Sequence, residues 1–225
     1  PTRLESFDSV LMHKTALILG NGEPPSRELL NQLIGGDTLL LCADGGADTA
    51  RRYNLVPDYI VGDLDSISRE SSAGVDPTHI IRVDADNTGT DIQKVLRHAV
   101  DLGISEAVLL GFTGRRTDHL LWNLSVFKTF AEQIALRIVD EHCDLRLIGQ
   151  RIRFRATIGQ KISLCPLNGP VEGITTTGLK FTLQNESLVP GLRDGISNEV
   201  IANPVEIQIG QGDLLLCLQR QEGLG

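Results

Sequence analysis

The chain has no apolar stretch long enough to cross a membrane. Its first fifteen residues, Pro1 to Thr15, hold Glu5 and Asp8 and no continuous apolar run. A secretory signal is therefore not expected, and an initial proline is compatible with a removed methionine. Excess positive charge is absent too: the formal net charge is −8. Such a chain lacks the field that gathers nucleic acid, although a polyphosphate ligand stays open if metal ions screen the acids locally. No CxxC pair occurs among Cys42, Cys143, Cys165 and Cys217, and three of the four end apolar or strand-like runs. Reduced thiols within strands are expected, rather than a zinc site or a disulfide frame, and with them a cytoplasmic protein. Several catalytic signatures are missing as well. Gly20-Asn21-Gly22 is not a full dinucleotide fingerprint, and there is no Walker lysine motif. There is no serine nucleophile elbow, and no Cys or His stands in a triad pattern. No internal repeat or low-complexity linker divides the 225 residues.

What the chain does have is acid at the ends of short apolar runs. Thr38 to Ala43 leads to Asp44-Gly45-Gly46, Tyr59-Ile60-Val61 leads to Asp63-Leu64-Asp65, and His79 to Val83 leads to Asp84, Asp86 and Asp91. In a parallel α/β sheet ligands bind at the carboxyl edge, so these acids can converge there. Hard oxygen ligands suit Mg²⁺, usually shared with a substrate's phosphates.

In chain order, Thr15 to Leu19 reads as a buried strand ending in the Gly20-Asn21-Gly22 turn. Pro24 and Pro25 open a helix bearing Leu29, Leu30 and Leu33, which Gly35 and Gly36 close. A short helix is expected from about Ala47 to Tyr53, and a polar loop from Ser66 to Pro77. Thr90 and Gln93 have capping-box spacing, which puts Asp91 on the first turn of a helix with Ile92, Val95, Leu96, Ala99 and Val100 inside. Glu106 to Gly111 is a further strand, followed by Phe112-Thr113-Gly114-Arg115-Arg116-Thr117-Asp118-His119 and a helix from near Thr117. Ala135 to Val139 is the last strand of this half. Strand alternating with helix predicts a mostly parallel sheet covered on both faces. After about Asp140 the pattern changes. Arg146 to Arg155 reads as a hairpin around Gly149-Gln150, and Lys161–Cys165, Val171–Thr177, Lys180–Leu183, Glu199–Ala202, Val205–Ile209 and Leu214–Leu218 read as strands. The fold class expected is an α/β N-terminal domain, residues 1–141, followed by an all-β sandwich or barrel-like domain, residues 142–225.

Each candidate residue has a plain structural alternative. Asp63 and Asp65, at i and i+2 of a strand, would share a face and repel unless a cation lies between them; they can equally be a solvated turn. Asp44 can be a turn residue. Asp91 and Asp118 can simply favour a helix dipole. Arg115 and Arg116 can clamp phosphate or remain solvated, and His119 can be a nucleotide contact, a packing residue or a surface residue.

Taken together and in order, Cys42 to Gly46, Pro57 to Ser66, Asp86 to Asp91, Gly114 to His119, Thr175 to Lys180 and Ser197-Asn198 resemble the thiamine pyrophosphokinase (thiamine diphosphokinase) family. The resemblance implies an N-terminal domain that binds ATP and Mg²⁺, a C-terminal β-domain that helps hold thiamine, and a homodimer with active sites between subunits. It implies transfer of a diphosphoryl group from ATP to thiamine, giving thiamine diphosphate and AMP. Carried over by position, Asp44, Asp63, Asp65 and Asp91 form the acidic catalytic cluster, with Asp63, Asp65 and Asp91 as metal ligands. Asn21, Asp44, Thr113, Arg115, Arg116, Asp118 and His119 are implied for ATP. Thr90, Asp91, Phe181, Ser197 and Asn198 are implied for thiamine. The chain departs from the family pattern in having Thr88 in place of an acid, Phe181 where Trp is common, and Asp194-Gly-Ile-Ser-Asn198 where Ser-Thr-Ser-Asn is common. Phe can still stack on a heteroaromatic ring. The other readings are a pyrophosphokinase acting on another hydroxymethyl acceptor such as a pterin, a non-enzymatic sensor of thiamine or nucleotide, and a structural protein with solvated acids.

Overall fold

A computed structural model describes residues 14–65, 67–68, 70–83 and 89–220. The N-terminal half runs β1 (Lys14–Leu19), α1 (Arg27–Leu33), β2 (Thr38–Ala43), α2 (Gly46–Arg52), β3 (Tyr59–Gly62), a 3₁₀ turn at Pro77–His79, β4 (Ile80–Arg82), α3 (Asp91–Asp101), β5 (Ile104–Leu110), α4 (Thr117–Phe130) and β6 (Ala135–Val139). The C-terminal half runs β7 (Cys143–Ile148), β8 (Arg151–Phe154), β9 (Lys161–Pro166), β10 (Val171–Thr177), β11 (Glu186–Leu188), β12 (Gly195–Glu199), β13 (Val205–Gln208) and β14 (Leu214–Gln219).

Strands β4-β3-β2-β1-β5-β6 lie side by side and parallel. Burial on both sheet faces explains the continuous apolar runs of β1, β2, β3 and the end of β5. Along β1, Ala16 and Ile18 face α3 and α4, whereas Leu17 and Leu19 face α1 and α2; all four are buried. The strand order reverses between β1 and β5, and the loops leaving these two strands diverge at the carboxyl edge.

The same sheet continues past β6 into antiparallel β7, β14, β9 and β12, making ten strands in all. A second sheet, β11-β10-β13-β8, packs against this extension over Ile148, Ile162, Leu164, Val171, Ile174, Val205 and Ile207. The fold is therefore an α/β region with a mostly parallel sheet joined to an antiparallel β region, as expected.

Three local expectations differ. Gly149-Gln150 does not close a hairpin: β7 belongs to the large sheet and β8 to the small one, paired with β13. Ile148 and Ile152 enter the same inter-sheet core, so the chain steps from one layer to the other. Gln150 C=O accepts from Ile209 N–H instead of a β7 partner. Lys180–Leu183 is irregular: the Asn198 side chain takes both backbone groups of Phe181, and Leu183 N–H donates to Thr176 Oγ1. The strand expected over Glu199–Ala202 lies earlier, at Gly195–Glu199. All four cysteines are free, Cys42 buried and the others half-buried. No helix among the described residues is long and apolar enough to cross a membrane.

Candidate active site

Where β1 and β5 diverge, their loops are zipped together. Gly20 N–H donates to Leu110 C=O at 2.8 Å, Gly22 N–H to Gly111 C=O at 2.6 Å and Glu23 N–H to Thr113 C=O at 2.9 Å. Only glycine fits at 22, since a Cβ would lie 2.5 Å from both the Gly111 and Thr113 carbonyl oxygens. The loops wall a cavity of about 480 Å³ whose lining includes Asn21, Asp44, Asp63, Thr90, Asp91, Lys94, Thr113, Arg115, Arg116 and His119.

Asp44 follows β2 directly, in the left-handed region at φ 43, and is 5% exposed. Its N–H donates to Val61 C=O at 3.0 Å, which ties the end of β2 to β3. Asp44 packs on Gly62, where a Cβ would meet its own Cβ at 2.9 Å. Asp63 comes next after β3. Its Oδ1 accepts from Asp65 N–H at 3.2 Å, and its Oδ2 lies 3.4 Å from Lys94 Nζ. The Asp65 amide bond, with help from the Lys94 charge, holds the Asp63 carboxyl below its ordinary range.

Asp63 and Asp65 do not share a strand face. β3 ends at Gly62, and Leu64 adopts φ 67, which turns the chain. The Asp65 side chain is left 76% exposed, with Arg82 as its ion-pair partner at 3.8 Å. Asp84 and Asp86 lie outside the described residues.

Asp91 opens α3 as expected. Thr90 is the N-cap, and Gln93 Oε1 accepts from Thr90 N–H at 3.1 Å, one half of the capping box. Asp91 Oδ1 pairs with Lys94 Nζ at 3.2 Å. Lys94 is 5% exposed and bridges Asp63 and Asp91. Burial alone would lower its pKa, but the two carboxylates outweigh burial and hold it above the ordinary value. Sequence reasoning missed Lys94. Its available signal was position 94, one helical turn after Asp91 and inside the run of buried residues.

Across the cavity, Arg115 takes φ 48 and reaches Asn21 C=O through Nη1 at 3.5 Å. Arg116 grips Asp118 with two bonds, Nε to Oδ1 at 2.9 Å and Nη2 to Oδ2 at 2.5 Å. That fork holds the Asp118 carboxyl far below its usual range. Thr113 is buried, and buried Asn123 donates to Phe112 C=O at 2.9 Å, fixing the loop after β5. Asn123 is a second residue that the sequence did not single out.

The residues expected at thiamine divide. Thr90 and Asp91 line the cavity. Phe181, Ser197 and Asn198 lie at β12 and its neighbour, and β12 is the opposite edge strand from β4. Phe181 is 62% exposed. Asn198 is buried, and its amide group clamps the Phe181 backbone, accepting from N–H at 2.9 Å and donating to C=O at 2.7 Å. Among the described residues, no three Asp, Glu, His or Cys side chains are gathered so as to hold a metal by themselves. The donor set does fit a hard divalent cation that keeps water and borrows substrate phosphate oxygens, since Asp44, Asp63 and Asp91 supply carboxylates to one cavity.

Comparison with known proteins matches residues 30–139 to the family "Thiamin pyrophosphokinase, catalytic domain" and residues 150–214 to "Thiamin pyrophosphokinase, vitamin B1 binding domain". A Bacillus subtilis thiamine pyrophosphokinase is 25% identical over 186 residues, covering 80% of this chain and 86% of that one. Thiamine pyrophosphokinase 1 of Oryza sativa is 29% identical over 200 residues, covering 75% and 74%. The crystal structure of the Geobacillus thermodenitrificans thiamin pyrophosphokinase superposes with a TM-score of 0.79 at 25% identity, over 93% of this chain and 99% of that one. The yeast enzyme shares the fold, with a TM-score of 0.77 at 19% identity over 93% and 88%.

Proposed function

The chain belongs to the thiamine pyrophosphokinase family, transferases that form thiamine diphosphate from thiamine, and from that premise we propose an ATP:thiamine diphosphotransferase that releases AMP. The observation that carries this reading is one cavity at the sheet's switch point, lined by carboxylates from the ends of β2 and β3 and the start of α3 and by arginines from the loop after β5. Brought into it, ATP lies with its phosphates between Arg115 and Arg116 on one side and Asp44, Asp63 and Asp91 on the other. The thiamine hydroxyl oxygen attacks the β-phosphorus and gives its proton to a carboxylate of the cavity, the bond from that phosphorus to the α-bridging oxygen breaks, and AMP leaves.

Each residue has a task. Arg115 takes phosphate oxygens, and its guanidinium sits beside the Asn21 loop for that purpose. Arg116 is held by Asp118, which fixes its direction. Asn21, Thr113 and His119 bound the nucleotide. Asp63 and Asp91 would hold Mg²⁺, with Asp44 in the same cavity and Asp65 exposed next to it. When bound, the metal neutralises and orients the polyphosphate. Asp91 orients the attacking hydroxyl through the oxygen that Lys94 does not engage. Positioning and electrostatics supply most of the rate.

Phe181, stacked on thiamine, belongs to the same reaction only if a second chain brings it. β12 stands five strand positions from β5 and eight from β3, two of the strands whose loops line the cavity. That is roughly 24–38 Å at about 4.8 Å per strand, too far for one thiamine to bridge. The spacing supports a homodimer in which residues 142–225 of one subunit complete the cavity in residues 1–141 of the other. Free thiols accord with work in the cytoplasm.

The test is AMP formation from ATP and Mg²⁺, with and without thiamine, with thiamine diphosphate detected directly. Equal AMP and thiamine diphosphate are expected. ADP in place of AMP overturns β-transfer. Nucleotide binding without thiamine-dependent turnover overturns the acceptor assignment.

A further inference from the structure

Lys94 has no assigned part in the reaction, yet it is the one buried cation in the cavity's described lining. Its Nζ stands 3.4 Å from Asp63 Oδ2 and 3.2 Å from Asp91 Oδ1. These are oxygens of the two carboxylates to which the proposed function gives the metal. Without nucleotide, the ammonium already offsets one of the pair's two negative charges.

We propose that Lys94 couples metal entry to nucleotide entry: it competes with a divalent cation for Asp63 and Asp91 until the nucleotide's polyphosphate arrives. The inference rests on the metal reading above. Its physical basis is simple. Two cations sharing a partly desolvated site a few ångströms apart repel strongly, because the effective dielectric there is far below that of water. Side-chain exposure of Lys94 is 3%, so solvent screens that repulsion poorly. A polyphosphate adds several negative charges and removes the conflict. Lys94 can then turn toward phosphate, which needs only rotation about its long flexible stem. Lys94 is thus a positioning residue that makes a free metal ion bind weakly and a metal–nucleotide pair bind well. The device keeps the carboxylates charged and in place between turnovers.

The experiment measures Mn²⁺ affinity by electron paramagnetic resonance on the full chain, with and without a non-hydrolysable ATP analogue. Wild type is expected to bind Mn²⁺ at least tenfold more tightly with the analogue present. Lys94→Gln is expected to bind Mn²⁺ alone at least tenfold more tightly than wild type, and to lose most of the analogue's effect. Lys94→Arg keeps the charge and should behave like wild type. Equal Mn²⁺ affinity in wild type with and without the analogue overturns the proposal, whether or not the Gln variant folds. Unchanged or weaker metal binding in folded Lys94→Gln overturns it too. Asp63→Asn separates the two readings. If it abolishes Mn²⁺ binding while Lys94→Gln changes nothing, the metal reading stands and this one falls. If Asp63→Asn binds Mn²⁺ like wild type, both fall.

Discussion

Trp122 Nε1 donates a hydrogen bond to Thr90 Oγ1 at 3.1 Å, so α4 is tied to the N-cap of the helix that carries Asp91 and Lys94. Trp122 is the chain's single tryptophan and is half exposed. It follows His119 by one helical turn and precedes Asn123, both of which line the cavity. The bond therefore joins the helix that carries His119 and Asn123 to the helix that carries Asp91 and Lys94.

Tryptophan emission should report directly on that cavity. Adding Mg²⁺ with an ATP analogue, and separately thiamine, is expected to change the intensity or wavelength of Trp122 fluorescence with saturation. Trp122→Phe keeps the ring and removes the donor. It should cost about 0.5–1 kcal/mol, or a few degrees in Tm, and raise the thiamine KM more than the ATP KM. Unchanged emission at saturating ligand would separate Trp122 from the site.

Asp63 and Asp65 should not be equivalent, although they stand two residues apart. Asp63 faces Lys94 in the cavity, and Asp65 points outward beside Arg82. Asp63→Asn is expected to lower kcat/KM by about two orders of magnitude or more, the scale on which a pre-organised charged group is lost. Asp65→Asn is expected to lose less, and its rate should recover further at high Mg²⁺. Steady-state kinetics across a magnesium series checks the ordering. Equal losses would show that the turn at Leu64 rearranges when substrates bind.

That inequality marks where local sequence stops being informative. β1 to β6 and their helices were readable because strands buried on both faces must be continuously apolar, and Thr90 with Gln93 announces its helix. The acids at strand ends were readable for the same reason. The turn between Asp63 and Asp65 was not, because a bulky Leu64 gives no sign of a positive φ. Gly149-Gln150 carries a sound turn signal, but a turn does not say which sheet the next strand will join. Lys180–Leu183 alternates like a strand, yet at Phe181 both backbone hydrogen bonds go to the side chain of Asn198, seventeen residues away. Lys94 escaped notice because a lysine on a helix is ordinarily solvated, and only the tertiary packing of α3 against the sheet buries it beside Asp63.

Phe181 offers a test of the acceptor side without risk to the fold. The residue is 62% exposed, while its backbone is fixed by Asn198. An aromatic stack is worth about 0.5–1.5 kcal/mol, so Phe181→Ala should raise the thiamine KM by about 2–12-fold. The ATP KM and the Tm should hardly move. Phe181→Trp should restore thiamine affinity. Unaltered thiamine kinetics in the alanine variant would remove Phe181 from the acceptor site.

Asp144 governs how the joined sheets respond to acid. It is 6% exposed, on β7, and accepts from Arg146 of its own strand and Arg137 of β6. Burial pushes its pKa up, but the two guanidinium groups outweigh burial, so the net shift is downward. A lowered folded-state pKa stabilises the protein above the unfolded carboxylate value, about 3.9, and the gain disappears as pH falls through the folded value. Asp144→Asn should therefore cost about 3 kcal/mol at pH 7, the scale for breaking a buried pair by removing one partner. The gap between wild type and variant should be constant from pH 7 to about pH 5 and close progressively below about pH 4. Urea unfolding at several pH values measures it. A gap that widened on acidification would mean that the carboxyl is neutral in the folded protein. In that case the Arg137–Asp144–Arg146 contact would not be the charged clasp between the parallel and antiparallel parts of the sheet.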